Sequence, residues 1–159
     1  MNIIELKERE SFSENIKTNR VYLKFKKLLK ELIKKDLPSI IVESVNHDIE
    51  ELNSTSFTDK NLRKLVYQKQ TKILMLLKKE LKIVPKNYYQ NQWIALGMSA
   101  FGLPIGVVFG LSMGNWAFLG IGLPIGMAIG ICLGMAMDKK AFAEGRQLDL
   151  TVEDLGVEY

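Results

Sequence analysis

From Trp93 to Met137 the chain has 45 consecutive residues without one Asp, Glu, Lys, Arg or His, although a quarter of all its residues are charged. That absence excludes a solvated segment and predicts membrane. Cysteine is almost missing as well: Cys132 is the only one, so no disulfide framework and no cysteine-based metal site can be built, and the residue reads as a small buried group inside an apolar helix. His47 is the only histidine. Asp48 and Glu50 give it little company as a metal ligand, and it reads as a solvated helix residue. There is no phosphate-binding loop, GxSxG, HExxH or His with a catalytic partner. The sequence is therefore read as a non-enzyme without cofactor. The opening residues MNIIELKERE hold three glutamates and no apolar run, which predicts no secretory signal and leaves insertion to the first apolar segment.

What is present is glycine. Ten of the twelve glycines lie in the uncharged stretch, which also contains FGLPIG at 101–106 and IGLPIG at 121–126. A hydrocarbon core of about 30 Å takes roughly 20 residues per helix, so the stretch predicts two spans with almost no loop. The break falls at Gly114-Asn115-Trp116, where Gly and Asn tolerate turns and Trp suits an interface. Trp93–Met113 and Ala117–Met137 are then antiparallel. Gly102, Gly106, Gly110 and Gly114 recur every fourth residue, as do Gly122, Gly126, Gly130 and Gly134, with Gly97 near the first series. Small residues at that spacing let two helices approach closely where lipid removes the hydrophobic drive. A reversal at Trp116 predicts Gly102 level with Gly130, Gly106 with Gly126, Gly110 with Gly122, Pro104 with Ala128, and Pro124 with Val108. Each proline frees a carbonyl, at Ala100 and Gly120, and predicts a bend.

The segments VPKNYYQNQW, GLPIGVVFGLSMGN, AFLGIGLPIGMAIG and MDKKAFAEGRQL resemble small bacterial glycine-zipper membrane proteins that carry a helical region before two spans. The resemblance runs over Val84–Leu148 and is only an outline before that. It implies topology and names no activity. The chain departs from outer-membrane glycine-zipper lipoproteins in having neither signal peptide nor lipidated cysteine at its start.

Charge divides the rest. Residues 1–92 carry 19 Lys or Arg against 12 Asp or Glu, a net of +7, whereas residues 138–159 carry 3 against 6, a net of −3. Lys79, Lys82 and Lys86 precede the first span, and Lys139, Lys140 and Arg146 follow the second. Both termini are therefore expected in the cytoplasm, at a bacterial inner membrane. The expected domains are a basic cytoplasmic helical region at 1–86, an aromatic interface with the two spans at 87–137, and an acidic cytoplasmic tail at 138–159. Tyr88, Tyr89, Trp93 and Trp116 are the expected headgroup-level aromatics.

Within the first region, Met1–Asn15 has no sustained period and reads as a mobile lead-in or short helix. Val21, Phe25, Leu28 and Leu32 set an amphipathic helix over 16–35 whose other face is lysine. It either packs in a bundle, the favoured reading, or lies on anionic headgroups. Pro38 is expected in the first turn of a second helix carrying Ile41, Val45, Ile49 and Leu52. Thr58 reads as an N-cap before Asp59, opening a third helix with Leu62, Leu65, Val66, Ile73, Leu76 and Leu77 that runs to about Ile83 and is ended by Pro85. The predicted core is Phe25, Leu28, Leu32, Val45, Ile49, Leu65, Ile73 and Leu77. The tail LDLTVEDLGVEY reads as disordered or docked on the basic domain. The fold class is all-α: a three-helix unit followed by a two-helix hairpin.

Two functions fit these features: a membrane-anchored helical interaction module, and an oligomeric pore. Spans without ionisable residues argue against a selective ion path. Expected partners are the lipid bilayer, a second copy of the chain, or a cytoplasmic protein. Nucleic acid is disfavoured, since Tyr22 and Phe25 lie on the apolar face rather than among the lysines.

Overall fold

The computed structural model describes residues 2–7, 16–56 and 59–156. The N-cap expected at Thr58, most of the lead-in at 1–15 and the last three residues lie outside them. The fold is all-α apart from two short strands. Its elements are α1 (Ile16–Ile33), α2 (Ser39–Ser54), α3 (Asp59–Leu81), β1 (Val84–Lys86), α4 (Tyr88–Gly97), α5 (Leu103–Ser112), α6 (Leu119–Ala143), β2 (Gln147–Thr151) and α7 (Val152–Leu155). β1 and β2 form a two-stranded sheet. Two compact units result, residues 1–84 with 148–158, and residues 85–147. Residues 148–156 belong to the first unit, although the sequence reading groups them with the tail that begins at 138.

In the first unit α3 packs against both α1 and α2, and α7 packs on α1. Phe25, Leu28, Leu32, Val45, Ile49, Ile73 and Leu77 are buried in one core, with Leu65 partly buried beside it. The helical spacing of those residues demands this face-to-face packing, since each stripe loses water only against another. Pro38 precedes the first turn of α2 instead of entering it, and its carbonyl accepts from Ile41 and Val42 at 2.9 and 3.1 Å. α3 stops before Pro85. Lys82 adopts a left-handed conformation (φ 57°), and the Ile83 amide reaches back to the Leu77 carbonyl at 3.2 Å, closing the helix six residues deep.

Residues 2–7 correct the reading of a mobile or helical lead-in. Leu6 is buried in the core and Ile3 and Ile4 pack against it. Two asparagines of α2 grip the backbone: Asn46 accepts from Ile4 N (2.9 Å) and donates to Asn2 O (3.0 Å), and Asn53 accepts from Lys7 N (2.9 Å) and donates to Glu5 O (3.1 Å). The spacings explain the match. Asn46 and Asn53 stand seven helical residues apart, a rise of about 10.5 Å, and the backbone groups that they bind are in each case three residues apart, Ile4 and Lys7 for the amides and Asn2 and Glu5 for the carbonyls.

The acidic tail also has a place. Leu148 on β2 and Leu155 on α7 are fully buried in the core, Gln70 donates to the Leu155 carbonyl at 2.9 Å, and Thr151 and Asp154 form a reciprocal capping box at the start of α7. Of the two readings of the tail, docking holds. Asp154 is held below its ordinary value by hydrogen bonds from the Thr151 side chain and backbone, with Lys27 and Lys24 adding to this.

Candidate membrane-spanning hairpin

Two continuous helical runs in the second unit, 88–112 and 116–143, are long and apolar enough to cross a membrane, each containing an 18-residue window of mean hydropathy 2.0. At about 1.5 Å per residue, either exceeds a hydrocarbon core of about 30 Å. Only 22% of each apolar window is buried, whereas a core helix of a water-soluble domain is covered by its neighbours. Leu96, Phe101, Val108, Leu111, Ile121 and Leu133 are among the large apolar side chains that face outward. Cys132 is exposed too, which corrects its reading as a buried group.

What is buried decides how the helices meet. Between Trp93 and Met137 the eight buried residues are all glycine: Gly97, Gly102, Gly106, Gly110, Gly122, Gly126, Gly130 and Gly134. Each helix shows the other bare backbone, so van der Waals contact and weak Cα–H···O bonds hold the pair. A methyl group added at Gly126 would lie 2.5 Å from the Gly102 nitrogen, one at Gly106 2.5 Å from the Leu119 carbonyl oxygen, and one at Gly97 2.8 Å from the Gly130 Cα.

The register differs from the one read in the sequence. Gly122 lies between Gly102 and Gly106, Gly126 between Gly97 and Gly102, Gly130 against Trp93 and Gly97, and Gly134 against Gln90. A glycine of α6 thus faces a position about six residues, or about 9 Å, from the one expected, well over one turn. The chain reverses at Met113–Asn115, where Gly114 takes the left-handed conformation (φ 61°) and the Asn115 side chain accepts from Ala117 N at 2.9 Å. A short 3₁₀ turn at Trp116–Phe118 already belongs to the returning leg. Gly114 is accordingly a turn residue, with nothing within 4 Å of where its Cβ would be.

The prolines act unequally. Before Pro104 the helix widens into a π-turn at Met98–Gly102, and Leu103 N bonds to Met98 O. One added residue per turn lets the proline sit without crowding a carbonyl one α-turn back. It also absorbs the five-residue step from Gly97 to Gly102, which would rotate Gly97 off the glycine face of a regular helix. Pro124 lies inside α6, which continues through it as an α-helix.

Asp138 continues the α6 stripe four residues beyond Gly134, and the sequence reading missed it. Its carboxylate accepts the amides of Tyr89 (3.2 Å) and Gln90 (3.0 Å) in the first turn of α4, where Asn87 provides no side-chain cap. A negative group there meets unpaired N–H groups and the positive end of the helix dipole. The contact is possible because Gly134 lets Gln90 come close, a Cβ there being 2.8 Å from the Gln90 nitrogen. The expected interface aromatics separate. Trp116 is exposed at the turn, Trp93 is half-buried with its indole N–H 2.9 Å from the Met137 sulfur, and Tyr89 is half-buried. Tyr88 is buried and stacks edge-on against Tyr89, so its ring has no surface to offer headgroups.

Comparison with known protein families, curated proteins and solved structures finds no match. The functional reading therefore rests on the geometry of the chain.

Outside the hairpin, His47, Asp48 and Glu51 bring ligand-type atoms within 4.8 Å of one another. Two ammonium groups already hold them: Lys69 bonds to Asp48 at 3.0 Å and Glu51 at 2.5 Å, and Lys72 bonds to Asp48 at 2.8 Å. A cation would compete with two positive charges, so the group is an ion-pair network joining α2 to α3. Exposed His47 takes no part in these pairs.

Proposed function

We propose that this chain is an integral membrane protein of the small bacterial glycine-zipper kind, in which the α4–α6 hairpin anchors a helical interaction module and carries no catalytic chemistry. The supporting observation is the division of faces in the hairpin: everything fully buried from Trp93 to Met137 is glycine, and the large apolar side chains point away. A hydrocarbon solvent matches that outward face, and water does not. Burial of both glycine stripes against each other favours an anchor over a pore, because an oligomeric channel assembled through those stripes needs them free. The basic residues flanking both runs favour an inner membrane with both termini cytoplasmic.

Cysteine mapping in a Cys132→Ser background tests the topology. Asn115→Cys is labelled by an impermeant reagent from outside intact cells, and Ser54→Cys only after permeabilisation. The reverse pattern overturns the orientation. Purified protein in liposomes releases no trapped dye at any protein-to-lipid ratio, whereas dose-dependent leakage would replace the anchor by the pore.

A further inference from the structure

Charge in the first unit is sorted by helix. α1 holds six Lys or Arg and one Glu, while α2 holds four Asp or Glu and no Lys or Arg. On α1 the core takes Tyr22, Phe25, Leu28, Leu29 and Leu32. The strip farthest from that core runs Ile16, Arg20, Leu23, Lys27 and Lys30, spaced alternately four and three residues apart and all exposed. Ile16 and Leu23 are 81% and 51% exposed, so two aliphatic side chains stand among three cations with no acid in the strip. Acids border one edge of it: Glu31 pairs with Lys34, and Glu153 and Asp154 line a groove of about 480 Å³ together with Ile16, Arg20, Leu23 and Lys27 of the strip and with Lys24, which donates to the Glu153 carbonyl at 2.8 Å. Three cations of the strip against these two acids leave it positive.

We propose that this strip of α1 docks on an anionic lipid surface, the cations meeting headgroup phosphates and Ile16 and Leu23 entering the headgroup boundary. The pattern is that of a helix lying in an interface. Charge complementarity selects an anionic partner, and the interleaved aliphatics select lipid over nucleic acid, whose bases need aromatic platforms that α1 has buried as Tyr22 and Phe25. The inference rests on the membrane reading above. The same chain leads from α3 into the first apolar helix within a few residues, so such a surface is at hand.

The test uses the full chain with Cys132→Ser and an environment-sensitive fluorophore at Leu23→Cys, reconstituted in phosphatidylcholine vesicles with or without about 30% phosphatidylglycerol. In anionic vesicles the probe shifts to the blue and nitroxide-labelled lipid quenches it at least about threefold more than in neutral ones. About 0.5 M salt reverses the effect, since surface charge is then screened. The same probe at Glu50→Cys on α2 stays in water throughout. Arg20→Glu with Lys27→Glu and Lys30→Glu abolishes the difference at unchanged helical content. A Leu23 probe equally wet in both vesicle types, in protein that resists alkaline carbonate extraction, overturns the docking inference alone. Protein that carbonate extracts overturns the membrane reading and this inference with it.

Discussion

The Asp138 carboxylate accepts the Gln90 amide at 3.0 Å across 48 residues of chain. An acid at the end of one apolar helix therefore caps the beginning of the other. Its removal leaves the amides of Tyr89 and Gln90 without this acceptor. Asp138→Ala should cost roughly 2–3 kcal/mol, the combined loss of a cap and of charged hydrogen bonds. Asp138→Asn keeps an acceptor oxygen and should cost about half as much. Reversible unfolding in mixed detergent micelles checks both, and a neutral Asp138→Ala would show that solvent or lipid replaces the cap.

Substitution by alanine should sort the glycines sharply. Gly126→Ala and Gly106→Ala push a methyl group into backbone of the facing helix and should lose about 2 kcal/mol or more, by analogy with overpacked cores. Gly120, although equally helical, has nothing within 4 Å of its Cβ position, so Gly120→Ala should be neutral or stabilising by up to about 1 kcal/mol. Ile125→Val on the outer face should change little. Equal tolerance at Gly126 and Gly120 would mean that the helices do not meet through glycine.

Much of this was legible in the residues, and the exceptions share a cause. A stripe such as Phe25–Leu28–Leu32 declares itself because one helix records its own period. Glycines four apart likewise mark a face. The register between faces could not be read, since it depends on where Gly114 turns the chain and on a π-turn that no period announces. Asp138 looked like the start of a soluble tail, and only its place four residues after Gly134 hinted otherwise. Leu148 and Leu155 sit on elements too short to show a repeat. Asn46 and Asn53 are seven apart on α2, a signal visible only once an extended segment is known to lie alongside.

The asparagine clamp is separable amide by amide. Asn46→Ala should abolish protection from hydrogen exchange at the Ile4 amide and leave Lys7 protected, while Asn53→Ala should do the opposite. Each loses roughly 1–2 kcal/mol of stability. Leu6→Ala should loosen both amides and cost about 2–4 kcal/mol through the cavity it leaves. Exchange measured by mass spectrometry resolves the three variants, and unchanged protection at Ile4 in Asn46→Ala would refute the clamp.

The Asp48 network sets an alkaline limit. Burial works to lower the Lys69 ammonium, but hydrogen bonds to Glu51 and Asp48 outweigh it, leaving the group raised above 10.5. A lysine raised by folding lends stability that is full below its ordinary value and is lost as pH rises through the raised one. Stability should thus fall above about pH 10.5, and Lys69→Met should flatten that limb. Lys69 is mostly buried and Lys72 half exposed. Lys69→Met should therefore cost about 2–3 kcal/mol at neutral pH, and Lys72→Met under about 1 kcal/mol.

The π-turn offers a test in which one change repairs another. Deleting Ser99 removes the added residue and brings Gly97 and the present Gly102 to four apart, so both remain on one face of a regular α-helix. That helix would then carry Pro104 in its interior, with the ring against a carbonyl one turn back and no N–H to give, a cost of about 3 kcal/mol. The deletion alone should accordingly destabilise the hairpin by about that amount. Combined with Pro104→Ala it should recover most of the loss, because an uninterrupted helix now suits both the backbone and the glycine face. Pro104→Ala alone should be mild, since the five-residue step from Gly97 to Gly102 still demands the wide turn. Detergent unfolding of the three variants forms a cycle whose coupling should reach about 2 kcal/mol, far above the additivity expected of independent sites. Additive effects would mean that the wide turn serves the glycine register without regard to the proline.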